Sequence, residues 1–444
     1  MRASTRNRSW DPIQSSAAWW SWVARMSETW WTRSGGATAI ASARAEHLAA
    51  LVKFVRAHSA HYRERWRDVP AGAPLEAFPV VTKSELMADF DAGTSGEPGI
   101  FVQDAAALST YDAMIAVQLG AARLGGRYAS GVFGQGGKAA LVAARDDHYA
   151  SIVSWERLTR ASPWLSTKSF SVLDPLPQLV KGLNAYQPAF VASYPTMLML
   201  LAEERAMGRL DIEPALLWSG GECMTSGTRA DVENAFECPV VNEYGASEAL
   251  SIAYGCSGGS LHINADCIVL KPVDRDHRPT PPGKTSHTVL LTNLANRVQP
   301  LVRYDLGDSV TAKPKPCACG SPLPAIQVEG RRDDIVSMRA ADGGTVRLLP
   351  LALATVVEEA AGLHRFQILQ TAADRLALRL DPKEACDRDA AWSAASQALR
   401  TYLARQSLEN VAVTLERDLP ARADPRTGKL RQVCVVCADA RAVH

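Results

Sequence analysis

Between residues 138 and 250, short apolar runs alternate with longer stretches of helical spacing. "AALVAA" and "SFSVL" read as buried strands, each followed by a helical stretch. "PAFVASYPTMLMLLAEERAMGRL" reads as a strand, a turn at Tyr194-Pro195 and a helix. "LLWSGGE" is a strand closing on Gly220-Gly221, and "PVVNEYGASE" is a strand with a glycine turn. Uninterrupted apolar strands separated by helices predict an α/β fold with a parallel sheet. Several of these strands end in loops rich in Gly, Ser and Thr, where ligands of open α/β sheets gather.

The flanks have other textures. Residues 36 to 66 predict a helix, with Leu48, Leu51, Val52 and Val55 at helical spacing. In "FPVVTKSEL", Thr82 followed three residues later by Glu85 predicts a capping box. Ala105 to Leu124 predicts a helix, and 261 to 313 reads as β-rich, with "TVLLTNL" the clearest strand. From about 334, "RFQILQ", "RLALRLD", an Ala-rich helix over about 384–406 and "NVAVTLE" predict a small α+β module. The opening "AAWWSWVARMSETWW" predicts a helix that caps the domain with tryptophans in a groove. It lacks the strongly basic face of a membrane-surface helix.

The chain has 444 residues, more than one core usually holds, so two or more domains are expected. A net charge of +1 offers no electrostatic attraction for nucleic acid or an anionic membrane. No run of about 18 apolar residues is present to span a membrane. The first residues lead into no apolar core of a secretory leader. These features predict a cytoplasmic protein, where clustered cysteines among the nine more often bind metal than pair.

Chemistry gathers in a few short stretches. "AGTSGEPGIF" can wrap an anion with backbone N–H groups and the Thr94 and Ser95 hydroxyls, although it lacks the Gly-Lys-Ser/Thr of a Walker loop. "SGGE" (219–222), "NEYGASE" (242–248), "RYDLGD" (303–308), "EGRRDD" (329–334) and "DPRTGKLRQV" follow in order. Singly, each has an ordinary structural reading: a glycine turn, a surface ion pair, a solvated Lys429.

Taken together, from about residue 45 to 435, the set resembles the adenylate-forming enzymes, and within them the phenylacetate–CoA ligase-like branch. "FPVVTKSEL", "LHIN" and "NRVQPLVRYDLGD" look like that branch. The resemblance implies a large N-terminal adenylate-forming domain over 1–332, α/β with parallel and mixed sheets. A small mobile α+β lid domain would follow over 333–444. The implied activity is ATP-dependent acid–CoA ligation through an acyl-AMP, on an aromatic acid of the phenylacetate or hydroxybenzoate type. The cofactors implied are ATP, Mg2+, CoA and structural Zn2+.

Residue by residue, Gly93, Thr94, Ser95 and Gly96 match the phosphate loop. Asp91-Ala92 depart from the usual Ser or Thr before it, placing a carboxylate where phosphates would lie. Glu248 matches the magnesium-binding glutamate. Ser247 matches the donor to the α-phosphate, and Tyr244, with Gly245 after it, the adenine-stacking turn. Gly220, Gly221 and Glu222 would line the adenine pocket. Asp308 would accept the ribose hydroxyls, since a carboxylate offers several lone pairs. Arg331 would contact ribose or phosphate, Asp333 falls at the hinge, and Lys429 matches the catalytic lysine. The acid pocket would lie near Tyr194, Trp218, Asn242 and Ala246, where the two aromatic rings can sandwich an aryl group.

Cys256, His262, Cys317 and Cys319 supply three sulfurs and one imidazole, a set suited to tetrahedral zinc; Cys-x-Cys is tighter than the usual spacing. The resemblance implies zinc at these positions, within a subregion of about 255–320. It also leaves room for transfer of the adenylate to a carrier-protein thiol or an amine, for a homodimer, and for a degenerate nucleotide-binding protein with little catalysis.

Overall fold

Buried, β-rich runs need neighbours on both edges, and the chain provides them as one long sheet. The computed structural model describes residues 12–88, 101–121, 126, 136–144, 154–157, 159, 165–222, 224–256, 258–328, 336–363, 366–381, 388–416, 419–421 and 432–436. The expected phosphate loop (Gly93, Thr94, Ser95, Gly96, with Asp91 and Ala92), Arg331, Asp333 and Lys429 lie outside the described residues.

The strands in the first two thirds are β1 (Lys138–Ala143), β2 (Ser166–Ser171), β3 (Phe190–Ser193), β4 (Leu216–Ser219), β5 (Val240–Ala246), β6 (Ala249–Gly255), β7 (Leu261–Ile263), β8 (Ile268–Val273), β9 (Thr288–Asn293), β10 (Tyr304–Asp305), β11 (Val310–Ala312) and β12 (Ala325–Val328). Among the described residues, nine of these form a sheet in the order β11-β12-β7-β6-β5-β4-β3-β1-β2. The pairs from β2 across to β5 are parallel. From β5 onward they are antiparallel. Strands β8, β9 and β10 make a separate antiparallel sheet.

The helices are α1 (Pro12–Ser34), α2 (Gly36–His58), α3 (Ala60–Arg65), α4 (Lys83–Ala88), α5 (Ala105–Ala121), α6 (Leu176–Tyr186), α7 (Pro195–Ala206) and α8 (Ser226–Phe236). The crossovers start where the chemistry of helix initiation says they should. Proline stands in the first turn of α6 and α7, where its missing N–H costs nothing. Thr225 caps α8 by accepting from the Thr228 N–H at 3.1 Å. The expected Thr82–Glu85 capping box forms at α4, with Thr82 N donating to Glu85 Oε2 at 2.7 Å and Glu85 N to Thr82 Oγ1 at 3.4 Å.

The expected groove for the N-terminal tryptophans does not form. Trp20, Trp30 and Trp31 are 65%, 50% and 69% exposed. The rotation of α1 is set instead by Arg33, whose Nε and NH2 donate to the two carboxylate oxygens of Asp266 at 3.0 and 3.1 Å. Arg33 also reaches Asn264 Oδ1 at 2.9 Å. A buried bidentate pair outweighs the burial of these indoles.

Beyond residue 335 the chain forms the hairpin β13 (Val336–Arg339) and β14 (Thr345–Leu348), then α9 (Pro350–Ala361), β15 (Phe366–Ala372), β16 (Arg375–Leu380), α10 (Arg388–Arg405), β17 (Ala412–Leu415) and β18 (Val433–Val435). Among the described residues, the last four strands form a sheet in the order β17-β16-β15-β18. This is the α+β module expected from the pattern. It packs beside the end of β2, with Arg405 on Asp174 at 3.1 Å and Gln406 Nε2 donating to Leu173 O at 3.0 Å. Arg347 pairs with Glu203 of α7.

Arg33→Ala leaves Asp266 charged and buried without its partner. The expected loss is about 3–5 kcal/mol of stability, to be measured by urea unfolding; a loss below about 1 kcal/mol would remove the pair as the anchor of α1.

Candidate active site

The parallel half of the sheet meets the antiparallel half at β5, and "NEYGASE" occupies that boundary. The two-residue period of a strand puts Asn242, Tyr244 and Ala246 on one face and Glu243 and Gly245 on the other. A Cβ on Gly245 would lie 2.1 Å from Leu250 O. No side chain fits there, so glycine is what allows β5 to reverse into β6 through Ser247-Glu248. Gly221 holds φ +82°, and a Cβ on it would lie 3.1 Å from the Tyr194 ring. The Gly-Gly turn after β4 therefore lies flat against Tyr194.

Glu222, the last residue of that turn, has a clear local task. Its Oε2 accepts from Thr196 N at 3.1 Å and Thr196 Oγ1 at 2.7 Å. Thr196 is in the first turn of α7, so the carboxylate satisfies an otherwise unpaired helix N–H.

Two phenol–carboxylate pairs build the centre. Tyr244 OH donates to Asp308 Oδ2 at 2.7 Å, and Tyr304 OH donates to Glu248 Oε1 at 3.0 Å. "FPVVTKSEL" is laced to "RYDLGD": Val81 N donates to Arg303 O at 3.1 Å and Asp305 N to Val81 O at 2.9 Å. That pairing brings Lys83 within electrostatic reach of Glu248. Gln103 Nε2 donates to the carbonyls of Ser247 and Glu248 at 3.3 Å, and Asn293 Nδ2 to Glu248 O at 3.2 Å. Asn296 and Gln299 hold the backbone of Val102, the segment that follows the expected phosphate loop.

Burial raises the Glu248 carboxyl above its ordinary range, against hydrogen bonds to its backbone and Tyr304 and the pull of Lys83. Burial, together with Asp308 and Glu248, holds the Tyr244 phenol well above 10. Tyr244 therefore stays a donor to Asp308. The site carries closely set acidic groups and, among the described residues, one nearby lysine, Lys83, an arrangement that favours the approach of a cation.

Thus Tyr194, Trp218, Gly220, Gly221, Glu222, Asn242, Tyr244, Gly245, Ala246, Ser247, Glu248 and Asp308 all sit at or beside the ends of β3, β4 and β5 or on the loop facing them. Sequence reasoning missed Lys83, Tyr304 and Glu243 as site residues. Burial drives the Glu243 carboxyl up to about 7, against hydrogen bonding from Ser251 and Trp218 and with Asp112 adding to the rise. The signal was available: a lone charged residue in the strand "VVNEYGA".

A second cluster lies on the antiparallel side. The donor atoms of Cys256, His262, Cys317 and Cys319 lie within 4.8 Å of one another. Cys256 Sγ and Cys317 Sγ are 3.7 Å apart, and Cys319 Sγ is 3.2 Å from His262 Nε2. A sulfur separation of 3.7 Å is far beyond a disulfide and close to the edge of a tetrahedron with metal–sulfur bonds of about 2.3 Å. His262 Nδ1 lies 3.0 Å from Leu323 O, which only accepts, so Nδ1 carries the proton and the Nε2 lone pair faces the thiols. Hydrogen bonding from the Cys319 backbone and neighbouring groups draws the Cys317 thiol down to about 6, while burial holds Cys319 up at about 11. Cys238 and Cys267 are buried apart from this group.

No known family model matches the chain. Protein CapK from Staphylococcus aureus is 29% identical over 133 residues, 30% of this chain and 28% of that protein's length. The solved structure of a 2-hydroxyisobutyryl-CoA ligase, in complex with 2-HIB-AMP and CoA in the thioesterification state, aligns over 90% of this chain and 91% of that one, at 23% identity and a TM-score of 0.52. The same ligase in its postadenylation state aligns over 92% of this chain and 91% of that one, at 22% identity and a TM-score of 0.50. The chain has the fold of an adenylate-forming acid–CoA ligase.

Glu243 ties stability to pH. Its folded value of about 7 stands above its ordinary 4.5, so the stability contributed by the protonated form is complete below about 4.5 and is lost as pH rises through about 7. Glu243→Gln mimics the protonated state. Its melting temperature is expected to match wild type near pH 5 and to exceed it at pH 8; a difference independent of pH would exclude the burial of an ionisable Glu243.

Proposed function

We propose that the chain is an ATP-dependent carboxylic acid–CoA ligase that forms an acyl-AMP and then a thioester, acting on an aromatic acid. The observation that carries this reading is the Tyr244–Asp308 pair beside Glu248, at the boundary of the parallel and antiparallel halves of a CoA-ligase fold.

In this reading the Tyr244 ring covers adenine, and Asp308, oriented by the Tyr244 hydroxyl, accepts from the ribose hydroxyls. Gly220 and Gly221 let the nucleotide approach the backbone, with Glu222 holding the turn onto α7. Gly93, Thr94, Ser95 and Gly96 grip the outer phosphates, and Arg331 contacts ribose or phosphate. Glu248 holds Mg2+, whose positive charge offsets phosphate charge when bound. Ser247 donates to the α-phosphate as the acid's carboxylate attacks it and pyrophosphate leaves. Lys429 neutralises the two anions as they meet, and bond formation gains from donors already fixed in place. Movement at Asp333 then withdraws Lys429 and admits the thiol of CoA, a two-position cycle suggested by the postadenylation and thioesterification states of the ligase of like fold. Tyr194, Trp218, Asn242 and Ala246 line the acid pocket. Cys256, His262, Cys317 and Cys319 hold a zinc ion with four protein ligands, which leaves no open position for substrate and makes the site structural.

Pyrophosphate release from ATP and magnesium is expected with one class of acid, and turnover beyond one cycle only when CoA is added. Release that stalls at one turnover with CoA present would move the acceptor to a carrier protein or an amine. Silence across acids, from folded protein that binds ATP, would leave a degenerate nucleotide-binding protein. Lys429→Ala is expected to lower adenylation by about 100-fold or more, by the scale of removing one preorganised charge, while thioester formation from supplied adenylate persists. Equal loss of both halves would remove the two-position cycle.

Metal analysis is expected to find about one zinc per chain. Chelation should lower the melting temperature, and zinc should be lost more easily as pH falls, because protons compete for Cys256, Cys317 and Cys319. Unchanged melting after chelation would dismiss a structural metal.

A further inference from the structure

The tryptophan-rich opening helix is a sequence feature that the ligase reading leaves unused, and in the structure it is built inside out. An amphipathic surface helix turns its apolar stripe to the core and its polar side to water. α1 does the reverse. Thr29 is 6% exposed, and Arg25, Glu28, Thr29 and Thr32 line a cleft against Asp266. Arg33 is buried in its pair with Asp266. Outward, Trp20, Ala24, Ser27 and Trp31 follow at intervals of four, three and four, which makes one stripe along the helix. All four are exposed, and the small Ala24 and Ser27 leave the two indoles standing clear, about 16 Å apart along the axis. Trp30 adds a third ring, its centroid 4.6 Å from that of Trp31.

Charge is arranged to match. Glu28 is the only acidic residue of α1, and Arg25 donates to its carboxylate at 3.3 Å. From Ser34 to Ala43, round the corner into α2, the sequence holds no charged residue, and Ser34, Gly35, Ala37, Thr38, Ala41 and Ser42 are exposed. Ahead of the helix, "MRASTRNRSW" carries Arg2, Arg6 and Arg8, with no acidic residue before Asp11. Residues 1–34 thus hold five arginines against Asp11 and Glu28, an excess of three positive charges that the whole-chain value of +1 conceals. The basic charge precedes the helix in sequence instead of occupying its face.

We infer that the outer face of α1 docks on the surface of an anionic phospholipid bilayer, with Trp20, Trp30 and Trp31 in the headgroup layer and the leading arginines on the lipid phosphates. Tryptophan prefers this layer, since its ring is apolar while its indole N–H stays wet. An uncharged corner can settle there without stripping water from an ion. Arginines beside such a face gain from the negative surface potential. A second copy of the chain suits the face less well. The three rings leave on the order of 300–450 Å2 of aromatic surface open, against the roughly 800 Å2 per partner of a stable protein interface. The helix lies on the bilayer; among the described residues no helix is long and apolar enough to cross a membrane. This docking is independent of the chemistry at Glu248 and Asp308.

The test is flotation of the full chain with vesicles of phosphatidylcholine alone and of phosphatidylcholine mixed with phosphatidylglycerol, with and without brominated acyl chains. Wild type should float with the anionic vesicles, and brominated lipid should quench part of its indole emission. The double variant Trp20→Ser, Trp31→Ser should partition about 10-fold or more weakly, because binding follows the apolar area inserted. Its melting temperature should stay that of wild type, since neither ring is packed in the core. Replacing Arg2, Arg6 and Arg8 by Ser should weaken binding to the anionic vesicles by about 10-fold or more, and added salt should weaken it likewise. No flotation of wild type at low salt overturns the inference, as does flotation unchanged by the tryptophan variant. A dimer in sedimentation equilibrium that the tryptophan variant dissolves, without flotation, also overturns it and makes the face a contact between copies.

Discussion

The reversal at Gly245 is the constraint on which the rest of the site depends. A Cβ there would meet Leu250 O at 2.1 Å, so the carbonyl of the returning strand occupies the space a side chain would need. Because the turn is that tight, β5 can pair in parallel with β4 and in antiparallel fashion with β6. It can also present successive residues to the two faces of the sheet. Tyr244 faces Asp308 and the strap from "RYDLGD"; Glu243 faces Trp218 and Ser251. One backbone geometry thus separates the Tyr244–Asp308 pair from Glu243, only one residue apart.

The polar groups on the two faces are held by different means. On the Tyr244 face, phenols donate to carboxylates, and burial keeps those phenols protonated. On the Glu243 face, a relay of amides and one hydroxyl begins at Arg33, more than two hundred residues away in sequence. The bonds of such a relay restrain its members, although Arg33 NH1, Gln118 Oε1 and Glu243 Oε1 are buried without a hydrogen-bond partner. Arg33 therefore has two structural consequences: it docks α1, and it fixes the amide orientation on which the Ser251 hydroxyl depends.

The thiol–imidazole cluster lies on the antiparallel side of the sheet, on β7 and the loops after β6 and before β12. β7 carries His262, the loop after β6 carries Cys256, and the loop before β12 carries Cys317 and Cys319. Three otherwise separate connections converge there, beside β12, which pairs with the β11 strand that follows "RYDLGD". If the cluster holds a metal as proposed, β7, the loop after β6 and the loop before β12 are tied at one point.

Much of the architecture was legible in the chain. Continuous apolar runs closing on glycine turns can be buried only in a sheet with helices on its faces, and Thr82 and Pro195 marked two helix starts. The motif residues of "SGGE", "NEYGASE" and "RYDLGD" were also legible, because each stretch combines a special backbone with a polar donor or acceptor. The exposed faces of Trp20, Trp30 and Trp31, the proximity of Lys83 to Glu248, and the orphaned Oε1 of Glu243 were not. They follow from which strand pairs with which, from the rotation that one buried ion pair imposes on α1, and from the removal of water around a carboxyl. Local pattern encodes where a chain turns and which residues prefer burial; only tertiary packing decides which distant polar groups meet and which one is left without a partner.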